Sequence, residues 1–330
     1  MIITKTPFRV SFCGGGSDIA DFYKKYGGCV LSTTINRYMY LTIHPYFDER
    51  KTALKYSQNE IVDSIYDINH SIFRCVLNDK HVSGVEITST ADVPSGTGLG
   101  SSSSFTVGLL HTLYCYKGKY VSKARLAEEA CQVEIKKLGN PIGKQDQYAA
   151  AFGGLNFISF HKDDLVSVEP VVIKGEVLKQ LQDNLVMYYT GLTHNANDIL
   201  SEQKKNISQK DKVKNVIRMC ELARDMKHSL ECNDLGNFGG ILHETWMKKR
   251  ELARTISNHK IDDWYQCAMK NGALGGKLLG AGGGGFLLFY CPKEKQERLT
   301  NQLRLKPFDF KFEHDGSSIV YIGDKYWESV

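Results

Sequence analysis

The stretch that most restricts this chain is Pro94-Ser-Gly-Thr-Gly-Leu-Gly-Ser-Ser-Ser-Ser104, which runs without a break into a strongly apolar segment. Gly96, Gly98 and Gly100 allow successive backbone N–H groups to converge on one point, a conformation that bulkier residues seldom adopt. The segment from about Ser101 to Tyr116 has the composition of a buried helix. Its start would direct unpaired amides and a positive dipole end at that same point. A flexible linker is the competing reading, but Pro94 fixes the entry, and linkers do not usually lead straight into buried helices. The stretch therefore predicts an anion site, with serine hydroxyls able to donate to phosphate or to ligate magnesium. It is not a Walker loop, because G-x-x-x-x-G-K-[ST] needs a lysine that is missing here.

Composition narrows the setting. A length of 330 residues suits one large or two moderate domains, and 42% hydrophobic with 24% charged residues describes a folded chain and not a disordered one. The net charge of +5 is a weak bias that suits an anionic ligand; without a concentrated basic patch it argues against a nucleic-acid partner. The nine cysteines lie at least twelve residues apart, so no C-x-x-C zinc or redox pattern exists, and free thiols in a reducing cytosol are expected. The opening MIITKTPFRVSF lacks the apolar core of a signal peptide, and no apolar run approaches the roughly eighteen residues of a membrane span, so a cytoplasmic protein without a membrane partner is expected. No HExxH pattern is present.

Periodicity and breakers give a mixed element order. Strands are expected at 2–12, 30–34, 37–44, 85–89, 155–160, 185–190 and 286–290, and near 307–313 and 317–322. Helices are expected at 19–26, 59–78, 101–116, 122–138, 195–207, 211–230, 234–257, 261–270 and 293–303. The segment 162–182 reads as charged and irregular, which places a division between 1–175 and 176–330. A second glycine-rich stretch runs from Gly272 to Gly285.

Three segments together resemble the GHMP kinases, named for galactokinase, homoserine kinase, mevalonate kinase and phosphomevalonate kinase. Pro7-Phe-Arg9-Val with Gly14-Gly15-Gly16-Ser17-Asp18 resembles the first motif of that family, the Pro94–Ser104 loop the second, and Lys277-Leu-Leu-Gly280-Ala-Gly282-Gly283-Gly284-Gly285 the third. They occur in family order across nearly the whole chain. The resemblance implies an α+β fold: an N-terminal domain like the second domain of ribosomal protein S5, then a ferredoxin-like C-terminal domain. It also implies ATP and Mg2+ as cofactors.

The resemblance further implies roles. Pro94, Gly96, Gly98, Leu99, Gly100, Ser101, Ser102 and Ser103 would bind the nucleotide, and Ser102 with Glu134 would hold magnesium, Glu128 and Glu129 being the alternatives nearby. Asp146, in Gly143-Lys-Gln-Asp146-Gln147, would accept the proton of an attacking sugar hydroxyl; a turn aspartate capping the next helix is the plainer reading. Arg9 would pair with Asp146 or bridge to the γ-phosphate, and Lys144 would touch a phosphate or be solvated. Asp18, Gly15, Gly16, Ser17, Gly191, Gly282 and Gly283 would border the acceptor, with Thr190 and His194 as further candidates.

Gly14–Asp18 departs from the Gly-Glu-His-x-Asp segment of galactokinases. With Tyr26-Gly27-Gly28, Val30–Asn36, Tyr189-Thr190-Gly191 and His314–Ser318, it resembles the bacterial subgroup acting on D-glycero-D-manno-heptose 7-phosphate. That implies transfer of the ATP γ-phosphate to the anomeric hydroxyl for nucleotide-activated heptose synthesis, with Arg37 or Lys144 as guesses for the 7-phosphate. Family alternatives are a kinase of L-fucose or of an N-acetylhexosamine; a non-catalytic sugar and nucleotide sensor is the alternative outside enzymes. Oligomeric state, including a homodimer, is left open.

Overall fold

The computed structural model describes residues 1–192, 196–206 and 209–323. Its first sheet is built on two long antiparallel strands, β1 (Ile2–Cys13) and β2 (Gly28–Pro45). To it are added β3 (Thr52–Lys55), β4 (Asn59–Val62), β5 (Val85–Ala91), β6 (Asn156–Phe160) and β7 (Val166–Pro170). A second, four-stranded sheet contains β8 (Leu185–Tyr189), β9 (Gly275–Leu278), β10 (Phe286–Tyr290) and β11 (Lys306–Phe308), in the order β11-β8-β10-β9. The chain then returns to the first sheet, where β12 (Phe312–Glu313) pairs with β2 and β13 (Ser318–Ile322) with β1. We keep the division near residue 175 as a proposal, with β12 and β13 lying on the N-terminal sheet.

The helices are α1 (Ala20–Tyr26), α2 (Ser71–Lys80), α3 (Ser101–Tyr116), α4 (Lys123–Cys131), α5 (Gln145–Phe152), α6 (Gly175–Asn184), α7 (Ala196–Asn206), α8 (Lys210–Glu231), α9 (Phe238–Arg250), α10 (His259–Lys270) and α11 (Gln296–Leu303). None of the described helices is long and apolar enough to cross a membrane. From Thr6 onward every residue of β1 is buried, because helices cover both faces: α3 and α5 pack on one side, α8 and α9 on the other. That is why β1 alternates only at its start. Helix α3 is seated closely on the sheet; a Cβ on Gly108 would lie 2.8 Å from Thr6 Oγ1, and Thr4 Oγ1 meets Thr112 Oγ1 at 2.7 Å.

Several expected boundaries shift for local reasons. Residues 30–44 form one strand, not two. The apolar spacing over 59–78 belongs to a helix only from Ser71: the buried Glu60 carboxylate accepts from Asn69 N (2.6 Å), His70 N (3.3 Å) and Tyr56 OH (2.6 Å), so the preceding segment is a strand and loop wrapped on that group. The segment 162–182 is ordered as β7 and the start of α6. Gly275–Leu278, inside the second glycine-rich stretch, is strand β9, since Gly275 and Gly276 let α9 and β10 approach closer than any side chain would allow.

Candidate active site

The three glycine-bearing segments meet at one cavity of about 320 Å3 between the sheets. One side of it is the 94–104 loop. The first intrahelical bond of α3 runs from Ser104 N to Gly100 O at 2.9 Å, so the amides of Ser101–Ser103 precede the helical ladder at the cavity wall. The third motif clamps this loop from behind: a Cβ on Gly280 would lie 2.3 Å from Gly98 Cα, and one on Gly98 would lie 2.6 Å from Leu279 O. Both glycines have positive φ, so only glycine satisfies the close approach and the backbone together.

Register shifts between Pro7 and Phe8 and between Ser11 and Cys13 bracket Arg9 on β1. Such bulges re-aim side chains, and here Arg9 turns into the cavity. Its guanidinium grips Asp146 in a two-pronged pair, Nε to Oδ1 at 2.7 Å and Nη2 to Oδ2 at 2.6 Å. The third nitrogen donates to Gly98 O at 2.6 Å, and Arg9 N donates to Leu99 O at 3.0 Å. One residue thus ties the carboxylate to the loop.

Asp18 is buried beside this pair. Its Oδ1 accepts from Gly16 N (3.0 Å) and its Oδ2 from Gln145 N (3.2 Å). Burial, reinforced by the Asp146 charge, pushes its carboxyl above the usual range. Glu134 sits in a π-helical turn, Gln132–Lys137, that continues α4. It is fully buried, accepts from Ser102 Oγ at 2.6 Å and from Gln147 Nε2 at 2.7 Å, and is also raised, chiefly by burial. No cation among the described residues pairs with it, and a buried carboxylate of this kind costs several kcal/mol unless compensated. A hard cation bound by the Ser102 hydroxyl and the Glu134 carboxylate would supply that compensation, so the residues fit magnesium. Glu128 and Glu129 are engaged elsewhere, with Tyr148 and with Lys80, Arg125 and Tyr114.

The cavity brings together Arg9, Gly15, Gly16, Asp18, Gly96, Gly98, Gly100, Ser101, Ser102, Ser103, Glu134, Asp146 and Gly282. The other described candidates do not line it. Leu99 is packed in the core; the Ser17 hydroxyl is spent on the Cys29 backbone at 3.0 Å; Gly283 N donates to Ile256 O at 2.9 Å. Pro94 and Gly191 are exposed. Lys144 points away into a pair with Asp164 at 2.7 Å, Arg37 caps Asp309 O and covers Phe308, and Thr190 Oγ1 donates to Gly285 O at 2.8 Å. His194 lies outside the described residues. Sequence reasoning missed Ser11, Lys249 and a role for Lys277, all of which line the cavity. Lys277 stood within the third motif, but Lys249 sits in Lys248-Lys249-Arg250, which reads as an ordinary basic helix end.

Comparison with known proteins agrees with this arrangement. Models of the GHMP kinase N-terminal and C-terminal domains match residues 66–154 and 222–308. The chain is 32% identical to D-glycero-alpha-D-manno-heptose 7-phosphate kinase of Campylobacter jejuni, covering 96% of this chain and 97% of that protein. It is 26% identical to the galactokinase of Pyrococcus furiosus over 94% of each. The solved structure of a D-glycero-D-manno-heptose 1-phosphate kinase from Bacteroides thetaiotaomicron superposes with a TM-score of 0.80 at 26% identity, covering 98% of this chain and 100% of that one. Sequence, fold and cavity agree, and the chain belongs to the GHMP kinases, phosphotransferases that use ATP.

Proposed function

We propose that this kinase moves the γ-phosphate of ATP to the anomeric hydroxyl of D-glycero-D-manno-heptose 7-phosphate. The observation that carries the chemistry is the Arg9-held Asp146 carboxylate, which opens on the same cavity as the α3 amides. The acceptor follows from the Campylobacter relative, which is similar along its whole length.

In this reading the loop amides and the start of α3 cradle the triphosphate. Ser102 and Glu134 would hold magnesium, which supplies charge neutralisation to the phosphates when bound. Asp18, held rigid by two backbone amides, accepts hydrogen bonds from sugar hydroxyls. Asp146 takes the proton of the anomeric hydroxyl as its oxygen bonds to the γ-phosphorus; the bond to the β-phosphate oxygen breaks, and ADP leaves with that electron pair. Arg9 holds Asp146 in place and aims it at the acceptor. The nine free cysteines suit a cytoplasmic setting, where ATP is at hand.

A panel of acceptors tests the assignment. Purified protein with ATP and magnesium is offered heptose 7-phosphate, neutral heptose, L-fucose, galactose and N-acetylhexosamines, with ADP release as readout. Preference for heptose 7-phosphate is expected. Preference for a neutral sugar would refute the acceptor, and binding without turnover of any sugar would point to a sensor.

A further inference from the structure

The floor of the cavity holds two buried lysines that the reaction above does not use. Lys277 on β9 is 3% exposed, and its Nζ donates to Phe12 O at 2.9 Å. Lys249, in the last turn of α9, is 8% exposed; its Nζ donates to Leu278 O at 3.3 Å and to Gly280 O. Among the described residues neither lies within ion-pair distance of a carboxylate. Ser11 joins them on the cavity lining, is 7% exposed, and has an Oγ with no hydrogen-bond partner. An ammonium group has three protons to donate. With an anion bound to hold both amines charged, two protons would remain on Lys277 and one on Lys249, with the Ser11 hydroxyl on the same cavity lining.

Two buried amines with no ion-pair partner are costly to keep charged, and an anionic ligand would offset that cost. The anchor of Lys277 says which end of the reaction that ligand serves, while Lys249, bonded to Gly280 O, lies nearer the nucleotide loop on which Gly280 packs. Arg9 N is bonded to Leu99 O, so residue 9 of β1 abuts the nucleotide loop. Phe12, which anchors Lys277, lies three residues farther along β1, toward Gly14–Asp18. At about 3.3 Å per strand residue that is roughly 10 Å from the loop contact, a displacement toward the acceptor.

We propose that Lys277, Lys249 and Ser11 bind the phosphate that the acceptor already carries. The inference rests on the reading of the acceptor as a phosphorylated sugar. The phosphate would replace the missing counter-charge and accept the unspent protons, so its binding and its discrimination against neutral sugars come from the same groups.

The test is steady-state kinetics of Lys277→Met and Ser11→Ala with heptose 7-phosphate and ATP varied separately. Lys277→Met is expected to raise the acceptor KM roughly 10- to 100-fold, as loss of a charged hydrogen bond does, and to leave the ATP KM within about twofold. Ser11→Ala, which adds no volume, is expected to raise the acceptor KM several-fold in the same sense. A retained thermal shift with ATP shows that each variant is folded. An unchanged acceptor KM in Lys277→Met, or an equal rise in the KM for ATP, overturns the proposal; the second result would move the amine to the donor phosphate. Wild-type protein separates the two levels. If it prefers neutral heptose, the acceptor assignment itself fails. If it prefers heptose 7-phosphate and both variants keep that preference, the acceptor assignment stands and the lysine site fails.

Discussion

The donor wall and the acceptor floor of this cavity are built in opposite ways. The wall is contiguous: a loop of glycines and serines followed by the helix it opens, so in the proposed reading backbone amides would do the binding. The floor is assembled from β1, β9 and the last turn of α9, residues separated by up to 266 positions, and in the proposed reading side chains would do the binding. Glycine spacing is visible in a sequence because it encodes backbone shape. Convergence of Ser11, Lys249 and Lys277 is not, because nothing local distinguishes them from other serines and lysines. The difference also carries a thermodynamic consequence: an amide cradle is neutral and inexpensive to bury, whereas an unpaired ammonium is neither.

The largest expected effect falls where wall and floor meet. Asp146→Asn removes the proposed proton acceptor while keeping shape, and turnover should drop about 10²- to 10⁴-fold with nucleotide affinity retained. Near-normal turnover in a folded variant would break the mechanism. Next comes Glu134→Gln. If the buried carboxylate serves magnesium, the concentration of Mg2+ giving half-maximal rate should rise by at least about tenfold, and chelation of the metal should abolish turnover in the wild type. An unaltered magnesium profile would return Glu134 to a structural role with Ser102 and Gln147.

A third change probes the wall without touching any charge. Gly280→Ala would set a methyl group 2.3 Å from Gly98 Cα at a φ of +71°. The loop must then shift, with a loss of about 1–3 kcal/mol of stability and a higher KM for ATP. Thermal melting and ATP titration would read it; if melting temperature and KM are both unmoved, the third motif does not support the loop.

Legibility followed the same line. The buried helix α3, strands β5, β6, β8 and β10 and the loop between β5 and α3 were each evident from periodicity and breakers. Asp146, Glu134 and Arg9 were placed by resemblance to family motifs, and the structure brings all three to the cavity. What could not be read was tertiary in origin. The helical spacing over 59–78 was overridden by hydrogen bonds to Glu60, and β9 was hidden by glycines whose purpose is close packing. Gly191 and Lys144 carried motif-like neighbours, yet one is exposed and the other is held by Asp164.

The smallest effect, and the one most specific to the floor, is on stability. Burial, with the nearby Arg9 charge, pushes the Lys277 ammonium down to about 8 from an ordinary value near 10.5, while Cys13, pushed up to about 11, stays neutral below that and Lys249 adds a second buried amine. Below pH 8 both folded and unfolded chains carry the Lys277 proton, and the folded state bears the full cost of a buried charge. Between pH 8 and 10.5 the unfolded chain binds more protons than the folded one, so this cost falls as pH rises and is gone above the unfolded value. Lys277→Met removes it at every pH. The ligand-free variant should therefore be more stable than wild type by about 1–3 kcal/mol at pH 7, with the gap closing as pH climbs from 8 toward 10.5. Denaturant unfolding of the two proteins across that range checks it. A variant that is less stable at pH 7, or a gap that does not change with pH, would mean that the ammonium is already compensated inside the fold, and the reason to seek an acceptor phosphate there would disappear.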